Sequence, residues 1–409
     1  MESSLYIHIP FCRKKCYYCD FYSIPAAARK SDGKSLPNDL SDAYIDAVVS
    51  EVAFYARQYG IDRWKTIYVG GGTPSLLSPS QIESLFHGVG KSASFDGGTE
   101  VTVEMNPDDV RPDFVEACAS SGVNRLSLGV QALDDKALAA VHRGCSSSSA
   151  MSALEFLDSV WKGRLSVDFI AGLPLQTFSS FRNQFGKIFR LNSIDHISLY
   201  PRTIEEGTPL GKMVDSGEIP FSPDKADRMW IEGRNILEKN GFVQYEVSNF
   251  AKPGFESRHN CVYWKLQNYV GCGAGASGTW YGGNFDDGCA LRWTNTRSVP
   301  SYVDFWSGSE VDSSSVPRDC EMLDRKTLEF EFLMMGFRMR ECVLPSEFER
   351  RFGKSLLSYE NSSGRKFSEI FFEWKEKRLA SVLESPAGEI YCLNRRGILL
   401  LNRFLEELL

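Results

Sequence analysis

Three cysteines, Cys12, Cys16 and Cys19, form a C-x3-C-x2-C run directly after Leu5-Tyr6-Ile7-His8-Ile9, which reads as a first strand. Thiolates are the usual ligands of iron–sulfur clusters, and so short a loop can wrap three irons of one cubane. Three ligands for four irons leave one iron open to a ligand from outside the chain. Two other readings stand beside this one. A structural zinc ion wants a fourth protein ligand; Asp20 and His8 are near in sequence, yet neither sits at a familiar zinc spacing. The three cysteines could also be unrelated neighbours in a loop.

Further along, Gly70-Gly71-Gly72-Thr73-Pro74 closes a second strand-like run at its carboxyl end, where parallel α/β folds place their ligands. Glycines there let the backbone approach a ligand closely, although a plain tight turn would use the same residues. Glu104, Gln131, Arg143 and Asp168 fall near the ends of successive strands or in the segments that follow. Carboxylates accept hydrogen bonds from hydroxyls or amines, and arginine pairs with a carboxylate. Each of the four could equally be a capping or surface residue.

The elements that must position these groups alternate in type. Strand-like runs cover 5–9, 66–69, 100–105, 125–128, 165–171 and 196–200. Helical stretches fit 42–59, 112–121, 134–142, 178–190 and 223–240, and Ser78-Pro79-Ser80-Gln81 opens another with a capping box. Six βα units in series predict a parallel sheet covered by helices. The chain is read as a core over 1–250, a Gly- and aromatic-rich irregular segment over 251–306, a linker at 307–318 and a small, mainly helical domain over 319–409. Residues 23–40 read as a polar surface loop.

Composition narrows the function classes. The 409 residues are 43% apolar and 24% charged with a net charge of −7, ordinary for a globular chain and poorly suited to nucleic acid or anionic membrane. No apolar run is long enough to span a bilayer, so an integral membrane protein is not expected. The N-terminus lacks a signal or transit pattern, which points to the cytoplasm. With 11 cysteines and one tight cluster, reduced thiols and a metal site are expected over a disulfide framework.

The segment Tyr6-Ile7-His8-Ile9-Pro10-Phe11-Cys12 through Cys19-Asp20-Phe21 resembles the signature of the radical S-adenosylmethionine (SAM) superfamily, in its coproporphyrinogen-dehydrogenase-like branch. The resemblance implies an α/β fold, a partial TIM-type (βα)6 barrel, and a [4Fe–4S] cluster on Cys12, Cys16 and Cys19. It implies that SAM chelates the open iron, with Gly71, Gly72 and Thr73 in the turn that holds its amino group. By the same resemblance Glu104, Gln131, Arg143 and Asp168 line the SAM pocket, flanked by Tyr6 and Tyr18.

Two families of that branch compete: the oxygen-independent coproporphyrinogen III dehydrogenases and the HemW heme chaperones. The dehydrogenases carry a fourth cysteine two positions after the third, where this chain has Phe21, and an N-terminal extension, where it has four residues. Arg258-His259-Asn260-Cys261-Val262-Tyr263-Trp264 is similar to the HemW motif H-N-x-x-Y-W, to which heme binding is attributed. His259 could supply an imidazole to heme iron beside the flat rings of Tyr263 and Trp264; the alternative is that it hydrogen-bonds a buried loop. Cys145 and Leu175 depart from the family pattern, Leu175 replacing a usual glycine. The resemblance thus predicts a heme carrier with an acceptor hemoprotein and an electron donor to the cluster as partners, and leaves a homodimer open. A radical SAM enzyme on coproporphyrinogen, or on a non-porphyrin substrate, is the rival expectation.

Overall fold

The computed structural model describes residues 1–25, 38–282, 289–308 and 315–409. Most of the 23–40 loop and half of the 307–318 linker therefore lie outside the described residues.

Six parallel strands follow one another: β1 (Glu2–Ile9), β2 (Arg63–Gly71), β3 (Glu100–Met105), β4 (Arg125–Gln131), β5 (Arg164–Ala171) and β6 (Ile194–Pro201). Between them run α1 (Asn38–Gln58), α2 (Pro79–Ser92), α3 (Pro112–Ser120), α4 (Asp135–Ala140), α5 (Ser147–Val160) and α6 (Phe178–Ile188). After β6 come α7 (Pro209–Asp215) and α8 (Pro223–Lys239). Ser78 caps α2 as its sequence foretold, its hydroxyl accepting from the Gln81 N–H while the Gln81 side chain returns to the Ser78 N–H. Helix α5 was not foreseen. Its serine-rich first turn hides a buried stripe of Ala150, Ala153, Leu154 and Leu157.

One face of each strand is apolar. Leu5, Ile7, Ile67, Val69, Val101, Val103, Leu126 and Leu128 are fully buried in a core shared with the helices. The other face is polar, and the register stacks it in rows. Tyr6 lies opposite Tyr68, Tyr68 opposite Thr102, and Thr102 opposite Arg125. Glu104 faces Ser127, Ser127 faces Ser166, and Ser166 faces His196. TIM barrels fill their interior with branched apolar side chains; here the concave face offers hydroxyls, carboxylates and a guanidinium. The barrel stays open, because the free edge of β1 is taken by a later strand and not by β6.

That later strand corrects the expectation of irregular structure over 251–306. Helix α9 (Arg258–Trp264) is followed by β9 (Tyr269–Cys272), parallel to β1, then by β10 (Ser277–Trp280), β11 (Ala290–Asn295) and β12 (Arg318–Leu323), with α10 (Val299–Trp306) before β12. The glycines read as loop markers are points of close approach. A Cβ on Gly271 would lie 1.9 Å from the Ser277 carbonyl oxygen, and one on Gly278 would strike Trp293. At the opposite edge, β8 (Asn249–Ala251) pairs antiparallel with β6 and with β7 (Val243–Gln244).

The C-terminal part has its own apolar core, in which Phe337, Phe348, Phe371, Trp374 and Phe404 meet. Helices α11 (Arg325–Gly336), α12 (Pro345–Phe352), α13 (Phe367–Glu376) and α14 (Leu401–Leu408) build it, with a hairpin of β13 (Ala380–Ser385) and β14 (Gly388–Leu393). One pair of cysteines departs from the expectation of reduced thiols: Cys342 and Cys392 form a disulfide across 50 residues. Backbone bonds in both directions between Val343 and Tyr391 bring the two sulfurs together. Among the described residues no helix is long and apolar enough to cross a membrane.

Candidate functional site

The cysteine loop leaves β1 at its carboxyl end and is fastened from several directions. Phe11–Cys12 pairs with Ile24–Pro25. The Tyr17 N–H donates to Val141 O at 3.0 Å, and Tyr17 O accepts from the Leu210 N–H at 2.9 Å. The Tyr17 ring stacks on His142 at 4.6 Å between centroids, and Arg13 reaches Asp109 at 2.5 Å. The loop is thus held by the segments after β3, β4 and β6, all at one end of the sheet.

The three thiols sense one another. Burial raises Cys19 to about 11, and the neighbouring Cys16 and Cys12 push in the same direction. Burial raises Cys12 as well, with Cys16 adding to it. Yet among the described residues no three His, Cys, Asp or Glu side chains converge closely enough to hold a single metal ion. Three thiols in one short loop with no fourth protein ligand at a familiar spacing are the donor set of an iron–sulfur cluster with one open iron, whereas a structural zinc ion wants four protein ligands.

The glycine turn packs against this loop. The Gly72 N–H donates to Ile9 O at 2.8 Å, and a Cβ there would lie 2.7 Å from the carbonyl oxygens of Ile9 and Phe11. Gly71 has φ +106°, and a Cβ on it would meet the His8 ring at 2.4 Å. His8 is itself fixed: Nε2 must donate to the Tyr22 carbonyl, so Nδ1 accepts from the Tyr6 hydroxyl at 2.9 Å. Thr73 donates to Cys12 Sγ at 3.6 Å and accepts from the Asn106 side-chain amide at 3.2 Å. Glu104 accepts from the Gly71 N–H at 3.1 Å and from the Tyr68 hydroxyl at 2.7 Å. Burial, with the Asp168 charge adding to it, raises the Glu104 carboxyl to about 7 against those two donors.

Arg143 links the loop to the barrel. Its Nη1 donates to Cys16 Sγ at 3.5 Å, and its Nη2 to Gly129 O and Asn106 Oδ1. Gln131 ends β4 at a register shift with φ +68°, a left-handed backbone that re-aims its side chain. Asp168 accepts from the Ser127 hydroxyl at 3.2 Å, and burial raises its carboxyl. The Tyr18 hydroxyl faces Cys16, and the Arg202 guanidinium lies over the Tyr18 ring, 5.6 Å from its centroid. Leu175 takes φ +61°, so the turn keeps a conformation that glycine prefers.

Sequence reasoning missed Tyr68, Asn106 and Arg202. Tyr68 and Asn106 alternate with residues already singled out, which was a usable signal. Arg202 had none: it is 8% exposed, and its Nε and Nη2 have no hydrogen-bond partner among the described residues.

His259 is not brought to this site. Thr66 gives its hydroxyl hydrogen to Ser4, so His259 Nδ1 donates to Thr66 Oγ1 at 2.7 Å and Nε2 accepts from the Tyr263 hydroxyl at 2.7 Å. Glu100, at the start of β3, accepts from the Arg258 and His259 backbone N–H groups. Helix α9 therefore plugs the amino-terminal mouth of the barrel, opposite the cysteine loop. His259 is fully buried, and desolvation lowers its pKa to about 3. In this conformation both ring nitrogens are engaged, which is the arrangement of the alternative reading, a histidine that hydrogen-bonds its buried surroundings.

The Radical SAM superfamily matches residues 6–184. The heme chaperone HemW of Lactococcus lactis is 32% identical, over 90% of this chain and 89% of that protein. Its Escherichia coli counterpart is 34% identical over 84% and 85%. The mouse protein named radical S-adenosyl methionine domain-containing protein 1, mitochondrial, is 35% identical over 82% and 73%. The solved coproporphyrinogen III oxidase (HemN) of Escherichia coli superposes with a TM-score of 0.77 over 99% of this chain and 89% of that one, at 20% identity, and so shares the fold. By sequence, over most of its length, the chain belongs to the HemW family of the radical SAM superfamily.

Proposed function

We propose that this chain is a heme carrier, which binds heme and passes it to an acceptor hemoprotein while holding a SAM-bound [4Fe–4S] cluster. The observation that carries the reading is likeness to heme chaperones over nearly the whole chain, joined to Phe21 at the place of the dehydrogenases' fourth cysteine. Phe21 is 63% exposed and supplies no ligand. Cys12, Cys16 and Cys19 would hold the cluster, which supplies a one-electron donor and one iron open to a chelating ligand.

Around it the chain's own groups orient SAM. Gly71 and Gly72 let the backbone come close, Thr73 steadies the Cys12 sulfur, and Glu104 accepts from the amino group. Arg143 faces the carboxylate, while Gln131, Asp168, Tyr6 and Tyr18 complete the polar wall. His259 enters as the residue that locks α9 under the barrel.

Glu104 makes SAM binding depend on pH. Its carboxyl is raised above the ordinary glutamate range, so the ligand-free site is largely protonated below about 7, and N–H donors of the ligand favour the carboxylate. Affinity is then expected to climb with pH, by up to roughly tenfold per unit well below that value, and to flatten above it. Isothermal titration of the reconstituted chain across this range checks it, and Glu104→Gln should flatten the curve. For stability the sign is opposite: a raised acid pKa contributes to stability at low pH, and that contribution fades as pH rises through about 7.

The function itself is tested by anaerobic reconstitution, followed by heme titration and a parallel assay for coproporphyrinogen decarboxylation. Stoichiometric heme binding, transfer to an apo-hemoprotein and no vinyl product are expected. Turnover of coproporphyrinogen would assign the chain to the dehydrogenase chemistry instead.

A further inference from the structure

The burial of Arg202 has no local reason. The residue follows β6 at the carboxyl end of the sheet, where its backbone N–H donates to Ala171 O at 2.8 Å. Its side chain turns inward over the Tyr18 ring, which packs on a small apolar cluster with Val141, Ile204 and Leu210. Nε and Nη2 are buried there without a hydrogen-bond partner, and no carboxylate pairs with the guanidinium among the described residues. The charges of Glu205 and Asp20 reach it only from a distance. Glu205 accepts from the Thr203 hydroxyl at 2.8 Å, and Asp20 is exposed. Burying a cation without hydrogen bonds costs more than stacking on one ring returns. A permanent charge kept in such a place implies an anion that balances it.

Such an anion belongs to the cysteine loop. Tyr18 stands between Cys16 and Cys19, and its hydroxyl faces the Cys16 sulfur while the Arg202 guanidinium lies 5.6 Å from its ring centroid. Arg143 meets the same sulfur from Nη1 at 3.5 Å. A cubane of four irons held by three thiolates is anionic, and it takes up a further negative charge on reduction. A cation fixed beside it in a low dielectric favours the reduced form, and burial keeps salt from screening that effect.

We propose that Arg202 is a positioning residue that sets the reduction potential of the cluster. Its guanidinium, laid over Tyr18, fixes a positive charge beside the cysteine loop and polarises the Tyr18 hydroxyl toward the Cys16 thiolate. The cluster then accepts its electron more readily than the three thiolates alone would allow. This role rests on the cluster assignment of the proposed function and names a residue that tunes it. Arg202 touches no reacting atom and forms or breaks no bond; it acts through Tyr18 and through its own field.

Reductive titration of the anaerobically reconstituted full-length chain with dithionite, followed by the paramagnetic resonance of the reduced cluster, tests this. Arg202→Gln should keep its iron and acid-labile sulfide yet shift the oxidised-to-reduced ratio at a fixed potential about tenfold toward the oxidised form. For one electron that is a fall of about 59 mV. Arg202→Lys keeps the charge and should restore most of the difference. Glu205→Gln removes an opposing negative charge and should raise the potential. Arg202→Gln with full iron and sulfide and an unchanged potential would overturn the role and leave the cluster assignment standing. If Arg202→Gln assembles no cluster, Glu205→Gln decides: a raised potential supports the role and an unchanged one overturns it. A wild-type chain that assembles no [4Fe–4S] centre would overturn both.

Discussion

Cys16→Ser is expected to strip the reconstituted chain of its cluster, bringing iron and acid-labile sulfide to background and removing the visible absorption of a [4Fe–4S] centre. Cys16 lies at the middle of the loop. It accepts from Arg143 at 3.5 Å, and its charge raises both Cys12 and Cys19. A thiolate there would be offset by the Arg143 guanidinium, whereas a serine hydroxyl stays protonated at neutral pH and is a poor iron ligand. SAM affinity should fall with the cluster. Cys320→Ser, an exposed free cysteine on β12, should change neither iron nor sulfide content. Retention of one metal ion per chain without sulfide in Cys16→Ser would show that the loop serves a single ion, and the cluster assignment would fall.

The second large effect is on stability. His259→Leu should lower the unfolding free energy by about 2–4 kcal/mol, because it leaves the buried Tyr263 hydroxyl and Thr66 Oγ1 without their shared partner. Urea denaturation of the apo-chain measures this as a lower midpoint with an unchanged slope. The pH dependence follows from the same burial. A histidine whose folded pKa is lowered to about 3 contributes stability above its ordinary value near 6.5, and loses it as pH falls through 3. An unchanged midpoint joined to lost heme binding would instead make His259 an iron ligand, reached when α9 opens.

These two residues mark the limit of what could be read from the chain alone. The Cys12–Cys16–Cys19 spacing, the capping box at Ser78 and the alternation in β1 to β6 depend on neighbours a few positions apart, so the sequence determined them directly. The same alternation also held the polar face of the barrel: Tyr6 and His8, Tyr68, Thr102 and Glu104, Ser127, Ser166 and Asp168 each recur at every second position. By contrast, β9 joins β1 through partners such as Ser4 and Tyr269, and its glycines look like loop residues until the neighbouring backbone is present. His259 looked like a ligand because its local motif is polar and aromatic; Thr66 and Glu100, far away in sequence, decide that it is buried. The Cys342–Cys392 bond likewise exists only because backbone bonds between Val343 and Tyr391 bring together segments 50 residues apart. Short-range hydrogen bonds and strand periodicity can be written into a few residues, whereas burial and long-range pairing are set by which distant surfaces exclude water together.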